Sequence, residues 1–156
     1  MEGGYHSRAM NASIPLLGAT LLLALSGAAR AGDCLPEIDS AWIRKPPMAM
    51  PMMAGFAEIR NPCAEPVRIV AARSPAFGAV ELHETTRVDG VSRMRHVEAL
   101  DVPARGTVVL APGGLHLMLM QPKDEAVEGS TLEVELELDD GRRLAAGFQV
   151  RAPGAL

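Results

Sequence analysis

The chain has 156 residues, of which 48% are hydrophobic and 22% are charged, and its formal net charge is -4 at pH 7. This length suits one globular domain and is too short for two ordinary ones. An acidic chain without a basic stripe excludes nucleic-acid binding. Aromatic residues make up only 3% of the sequence, so we expect an aliphatic core.

Residues 1–31 have the pattern of a secretory signal peptide. A basic residue lies in the N-terminal region, residues 14–25 form an apolar run interrupted only by small residues, and residues 29–31 match the A-x-A pattern of a cleavage site. We predict cleavage after Ala31, a mature domain of residues 32–156 and a periplasmic location. The apolar run is too short to span a bilayer comfortably, so no stable membrane insertion of the mature chain is expected. An uncleaved N-terminal anchor is the alternative.

Both cysteines, Cys34 and Cys63, follow the predicted cleavage site. Because exported chains meet an oxidising environment, we predict a Cys34–Cys63 disulfide. It would close a loop of about thirty residues and add about 2–4 kcal/mol of stability. A thiolate metal ligand is the alternative, but Cys63 has no histidine or methionine at sheet spacing. Lipid attachment to Cys34 is disfavoured because Asp33 precedes it, where a small residue is expected.

Short β-prone segments recur along the mature chain, with Gly, Pro, Asn and Asp turns between them and no persistent helical period. These segments predict an all-β fold, a β-sandwich. Residues 98–105 are predicted to be irregular. The predicted strands are residues 41–44, 54–60, 66–73, 80–88, 91–97, 107–110, 114–120, 131–138 and 142–151.

The loop at residues 45–51 contains three prolines, which cannot lie inside a sheet, and carries or adjoins four methionines. As a hypothesis, Met48 and Met50 form a secondary or transfer site for a soft metal. The simpler interpretation is that Met52 and Met53 begin the next strand and enter the core while the other two are incidental.

Two β-prone runs flank Asp89-Gly90, which predicts a hairpin with a two-residue turn. In that register Thr85 lies opposite Met94 and His83 lies opposite His96. His83 and Met94 are then diagonal neighbours on one face, within reach of each other.

Strict alternation in residues 114–120 places three leucines on one face of a strand and His116, Met118 and Met120 on the other. The leucines are expected to pack inward and the His-x-Met pair to face outward or toward a neighbouring loop. Taken singly, a strand methionine is most often a core filler and a lone histidine a surface residue.

Four side chains together favour a metal site. Two imidazoles and two thioethers, from His83, Met94, His116 and Met118, make a soft, uncharged ligand set that binds Cu(I) well and hard ions poorly. His96 and Met120 are reserve ligands or neighbours of the site.

Ten residues separate His83 from Met94, twenty-one separate Met94 from His116 and one separates His116 from Met118. This spacing resembles the metal-binding signature of the periplasmic PCuAC copper chaperones, formerly a domain of unknown function. The sequence segments around these ligands are similar too, including Val-Glu-Leu-His-Glu at residues 80–84 and Pro-Gly-Gly-Leu-His-Leu-Met-Leu at residues 112–119. The resemblance extends from about residue 41 to residue 150.

The resemblance implies a Greek-key, cupredoxin-like β-sandwich and a chaperone that carries Cu(I). It also implies delivery of copper for cytochrome c oxidase assembly. The acceptor would be the binuclear copper centre in subunit II of the oxidase, reached alone or alongside a Sco-type thiol protein.

The sequence also bears on other functions. No Ser-His-Asp or Cys-His arrangement is suggested, so we expect no enzyme and assign no catalytic residue. A blue-copper electron carrier needs a cysteine ligand beside two histidines. A periplasmic copper-storage or resistance protein, and a sandwich that binds protein partners without metal, are the remaining alternatives.

Overall fold

The computed structural model describes residues 34–154, together with residues 1 and 3–4. The predicted cleavage site and all but three residues of the predicted signal peptide lie outside the described residues. In the described part of the chain there is no helix, and so none long and apolar enough to cross a membrane. The strands are β1 (Glu37–Arg44), β2 (Met52–Arg60), β3 (Val67–Arg73), β4 (Phe77–Val88), β5 (Val91–His96), β6 (Leu100–Val102), β7 (Thr107–Leu110), β8 (Leu115–Pro122), β9 (Thr131–Leu138) and β10 (Arg143–Arg151).

Seven of these strands form a closed barrel in the order β4-β8-β2-β1-β10-β9-β3, and the pairing of Ala72 with Val80 joins β3 back to β4. The sheet is mixed, because β1 and β10 run parallel while the other pairs are antiparallel. The strands β5, β6 and β7 are added beside β4, β3 and β2. The predicted all-β fold is confirmed. The pairing of β3 with β4 joins the edges of the sheet, so the predicted sandwich is closed into a barrel.

The interior of the barrel is aliphatic around a single fully buried ring. Leu117 and Leu119 alternate with the outward residues of β8 and are 2% and 0% exposed, while Phe148 and Ile43 are fully buried in the same cluster. This alternation fixes which face of β8 looks outward, because a shift of one residue would turn every leucine to the outside. The core therefore sets the register of the strand that carries His116 and Met118.

The segment predicted to be irregular at residues 98–105 contains a short strand. Strand β6 pairs with β3 through Val102 opposite Val67 and Leu100 opposite Ile69, and both Val102 and Leu100 are buried. Three residues are too few to show a readable alternation, and their pairing depends on a partner about thirty residues away in sequence. The prediction for this segment was wrong for that reason.

The disulfide between Cys34 and Cys63 is present, with Cα atoms 5.7 Å apart and a sequence separation of 29. Next to it Asn61 is fully buried. Its side-chain Nδ2 donates to the carbonyl oxygens of Glu65, Val102 and Pro103, and its Oδ1 accepts from the backbone N–H of Cys63. The side-chain amide of Asn61 thus links the turn after β2 to the end of β6 by hydrogen bonds.

Candidate metal centre

The hairpin that carries His83 and Met94 has the predicted register. His83 pairs with His96, Thr85 with Met94, and the turn residues Asp89 and Gly90 both have positive φ. Positive φ at both central positions is the type I′ geometry that a two-residue hairpin loop requires. Met94 is therefore a diagonal neighbour of His83 on the outer face of the sheet.

Strand β8 brings the other two predicted ligands to the opposite side of His83. His116 lies directly across from His83, and Met118 lies across from Glu81, one diagonal step from His83. Directly opposed residues share a face and have Cβ atoms about 4.5–5.5 Å apart. All four predicted ligands thus lie on one face, with His83 at the centre.

The ring separations suit one shared ion. The centroid of the His83 ring is 6.1 Å from that of His116 and 5.7 Å from that of His96. A metal–nitrogen bond of about 2 Å places each ligating ring centroid about 3 Å from the ion, so two such rings lie about 5–6 Å apart. His96 is therefore as near to His83 as His116 is, although it is exposed and His116 is buried.

In the neutral form of the His83 and His116 rings, the hydrogen bond made by one nitrogen leaves the other nitrogen without a proton. His116 Nδ1 lies 2.9 Å from the carbonyl oxygen of Gly114, which can only accept, so Nδ1 carries the proton and Nε2 holds a lone pair. His83 Nε2 donates to Glu81 Oε2 at 2.9 Å, so its lone pair is on Nδ1. That Nδ1 is buried and has no hydrogen-bond partner. A buried acceptor without a partner is costly unless an ion or water satisfies it.

The donor set fits a soft cation. Among residues 34–154 no three His, Cys, Asp or Glu side chains are placed to hold a metal ion. The two lone-pair nitrogens stand beside thioethers instead, and imidazole with thioether is a combination that suits Cu(I). The exposure of the sulfur residues differs sharply, because Met118 is 8% exposed and Met94 is 53% exposed.

Sequence reasoning did not identify Glu81 as part of the site. Its carboxylate orients the His83 ring and adds a negative charge beside an otherwise neutral donor set. Carboxylates that accept the second N–H of a metal-binding histidine fix its tautomer and raise its basicity. The spacing Glu-x-His on one strand, which puts both side chains on the same face, was the available signal.

We expect Glu81→Gln to weaken Cu(I) binding about tenfold or more, since loss of such a partner typically costs about 10–100-fold. The matched control is Glu84→Gln, because Glu84 lies on the opposite face of β4 and pairs with Arg95. Competition with a Cu(I) chelator measures both variants. Equal losses in the two variants would contradict a positioning role for Glu81.

Aromatic residues form a platform under the site, which the sequence also did not reveal. Trp42 stacks on Phe56 with centroids 4.6 Å apart, and Phe56 lies 6.4 Å from the His116 ring. The guanidinium groups of Arg44 and Arg151 cover these rings, at 5.1 Å from Phe56 and 5.0 Å from Trp42. These side chains therefore cover the outer face of the barrel around Trp42 and Phe56, and Phe56 bounds the His116 ring on one side.

Three predicted metal residues remain, Met48, Met50 and Met120. Met120 lies opposite Met52, and Met48 and Met50 are 71% and 44% exposed in the loop before β2. Met53 enters the core as the simpler interpretation expected, but Met52 does not and is 39% exposed.

Comparison with known proteins gives both a family and a fold. The model of a family described as "Putative lipoprotein LpqE-like" matches residues 37–150. "Putative lipoprotein Lxx21020" of Leifsonia xyli subsp. xyli is 32% identical over 106 residues, which are 67% of this chain and 63% of that relative. The match thus spans less than two thirds of the relative's length.

Solved PCuAC structures share the fold. A copper-bound PCuAC domain from PmoF2 is 21% identical with a TM-score of 0.63, covering 76% of this chain and 93% of that one. The solution structure of CuI-DR1885 from Deinococcus radiodurans is 29% identical with a TM-score of 0.60, covering 78% and 83%. Apo-DR1885 is 27% identical with a TM-score of 0.59, covering 96% and 98%. The predicted Greek-key, cupredoxin-like β-fold is confirmed.

Proposed function

The chain belongs to the LpqE-like family, and we propose that it is an exported chaperone that binds one Cu(I) ion through His83, Met94, His116 and Met118. The observation that carries the proposal is the buried, unpartnered Nδ1 of His83. It lies at the centre of a face that also holds a second ring and two thioethers. The relatives described as copper-bound and as CuI-DR1885 support copper as the cargo and Cu(I) as its state.

The ligand set suits a carrier that must release its metal. Thiolates bind Cu(I) more strongly but become disulfides in an oxidising space, whereas thioethers and imidazoles do not. Met94 is the exposed member of the set, so an incoming ligand reaches the ion on the Met94 side and replaces this sulfur first. His116 and Met118 are buried and hold the ion until the exchange is complete.

The acceptor we propose offers thiolates. Thiolates are offered both by the binuclear copper centre in subunit II of cytochrome c oxidase and by a Sco-type thiol protein. Transfer of Cu(I) from thioethers to either acceptor would be thermodynamically favourable. Three donors, His83, His116 and Met118, remain on this protein after Met94 has left, so the ion is never free. A purified acceptor whose thiols are blocked should receive no copper.

The location we propose is the bacterial periplasm, reached by a signal peptide cleaved after Ala31. The Cys34–Cys63 disulfide supports an oxidising compartment, where such bonds persist. Although the family is described as lipoproteins, both cysteine sulfurs of this chain are in the disulfide, so Cys34 is not available for a thioether to lipid. The same bond disfavours a blue-copper carrier, which requires a thiolate ligand.

We expect the apparent Cu(I) affinity to fall about tenfold or more between about pH 7.5 and about pH 5.5, because both rings must be neutral to bind and protons compete with the ion. Competition with a Cu(I) chelator of known pH dependence measures this. Unchanged affinity across the range would contradict imidazole ligation. A protein that binds no Cu(I) at either pH would favour a metal-free partner-binding domain, and intense blue colour with Cu(II) would favour the electron carrier.

A further inference from the structure

The thioethers of the outer face continue beyond the proposed copper site. On β8, Met120 follows Met118 on the same face, and Met52 of β2 lies directly across from Met120. Rows of side chains two residues apart on a strand are about 6.6–6.8 Å apart. Met118 therefore stands one row from the histidines and one row from the Met52–Met120 pair.

A cleft borders the Met52 side of this second row, and Met120 does not line it. It has a volume of ≈ 360 Å³ and is lined by Met118, Met52, Ala54 and Pro46, among others. Ala54 lies opposite Met118, and its small side chain leaves the space beside the sulfur open. Met52 is 39% exposed at the mouth of this cleft while Met118 is 8% exposed at its inner side. Met53, a buried core residue, lines the cleft as well, so three thioethers of different depth border one opening.

The methionines of the loop occupy a different place. Met48 and Met50 line a neighbouring cleft of ≈ 600 Å³ together with Met53, Lys123 and Glu125, and neither Met118 nor Met52 borders it. The two clefts share Lys45, Pro46, Pro47 and Met53, but Met48 and Met50 border only the second of them. The predicted site at Met48 and Met50 stays a prediction, and the strands offer another pair of thioethers nearer to the histidines.

We propose that Met52 and Met120 form a second, weaker Cu(I) site that loads the His83–His116 site, with Met118 as the ligand that both sites share. This rests on the proposed function, since it requires Cu(I) to be the cargo. The ion moves by ligand exchange alone: Met118 binds it while Met52 and Met120 still do, and these two thioethers leave as the imidazoles of His83 and His116 bind. No electron or proton is needed from another reactant.

The surrounding charges make this site weak, as a loading site must be. Arg44 and Lys45 border the cleft, and none of the described residues that line it carries a carboxylate. Lys45 is partly neutralised by Glu125, at 3.3 Å. Nearby positive charge disfavours a bound cation, whereas the histidine site has Glu81 beside it. Copper bound at the methionine pair is therefore expected to move toward the histidines.

The test uses the mature protein labelled with ¹³C at the methionine methyl groups and titrated anaerobically with Cu(I) to two equivalents. Single Met→Leu variants, which nearly conserve volume, assign the resonances. We expect the first equivalent to shift Met94 and Met118 and the second to shift Met52 and Met120. Stopped-flow uptake from Cu(I)-glutathione should be several-fold slower in Met52→Leu/Met120→Leu, with the affinity of the first site unchanged.

The matched control is Met48→Leu/Met50→Leu, which removes the same number of thioethers from the neighbouring cleft and should leave uptake unchanged. The proposal is overturned if the second equivalent shifts Met48 and Met50, or no methionine, or if both double variants take up copper at the wild-type rate. It is also overturned if Met52→Leu/Met120→Leu loses the first site. Failure of the proposed function looks different, because the first equivalent would then shift neither Met94 nor Met118.

Discussion

In His83→Ala, Cu(I) binding should weaken by more than about 100-fold, the largest loss that any single substitution in the site produces. Even the loss of a group that only orients a metal-binding histidine costs about 10–100-fold, and this substitution removes a ligand. The loss corresponds to about 2.7 kcal/mol or more of binding free energy. Chelator competition on the purified variant measures it.

The position of His83 explains why its loss should exceed that of the others. It is the one proposed ligand whose strand has a ligand-bearing strand on each side, with β8 carrying His116 and Met118 and β5 carrying Met94. Removing its ring leaves Met94 and Met118 on strands that do not pair with each other, two edges apart. Without His83, no ligand on the central strand β4 connects Met94 on one side with His116 and Met118 on the other.

His96→Ala is the matched control because it removes the same ring from the neighbouring strand. His96 is exposed, whereas the ring of His116 is fixed by the Gly114 carbonyl. We expect His96→Ala to change affinity by less than about threefold, a change of less than about 0.7 kcal/mol. Thermal unfolding of both variants without metal should match the wild type. Equal losses in His96→Ala and His83→Ala would show that His96 is a ligand.

Asn61→Asp should destabilise the folded protein by about 3–5 kcal/mol, a large part of the stability of an ordinary domain. The substitution keeps the shape of the side chain but replaces a donor by a negatively charged acceptor. That acceptor would face three carbonyl oxygens, 2.8–3.3 Å from the position of Nδ2, at a site with no exposure to solvent. Urea unfolding with the disulfide intact measures the loss.

The loss at Asn61 should depend on pH. Burial among carbonyl oxygens raises the pKa of the introduced carboxyl in the folded state above its unfolded value. The penalty is therefore largest above the folded pKa and shrinks as the pH falls and the group becomes a donor again. Gln149→Glu, the same chemical change on an exposed side chain of β10, should have little effect at any pH. Equal destabilisation by the two substitutions would contradict the role assigned to Asn61.

The hairpin register was predictable because local chemistry decides it. Asp89-Gly90 is a strong signal for a two-residue turn, and once the turn is fixed the opposite residues follow by counting. Leucines at alternate positions similarly decided which way His116 points, since the barrel interior accepts only the apolar face of β8. Both inferences depend only on residues that are close together in the sequence.

Features that depend on distant partners were not predictable in this way. Strand β1 begins at Glu37 rather than Ala41, because a bulge between Asp39 and Trp42, with Ser40 at positive φ, interrupts the alternation. The buried His116 ring lies beside Phe56, on a strand sixty residues earlier, and Arg44 lies over the Phe56 ring. The sequence shows that these aromatic and arginine residues are present, but not that they pack against one another.

The fold explains how a metal site can be both ordered and exchangeable. The barrel holds His116 and Met118 on a strand whose other face is packed in the core, so the buried half of the site does not depend on the ion. Met94 lies on β5, which pairs with β4 alone and is exposed along its length. One half of the site is thus rigid and the other is accessible to an acceptor.

Copper K-edge X-ray absorption on the mature protein carrying one equivalent of Cu(I) tests the assigned ligands most directly. The account predicts separate nitrogen and sulfur shells, two neighbours of each kind, and a smaller sulfur shell in Met118→Leu. A spectrum with only nitrogen or oxygen neighbours, or a sulfur shell that neither Met94→Leu nor Met118→Leu reduces, would contradict it.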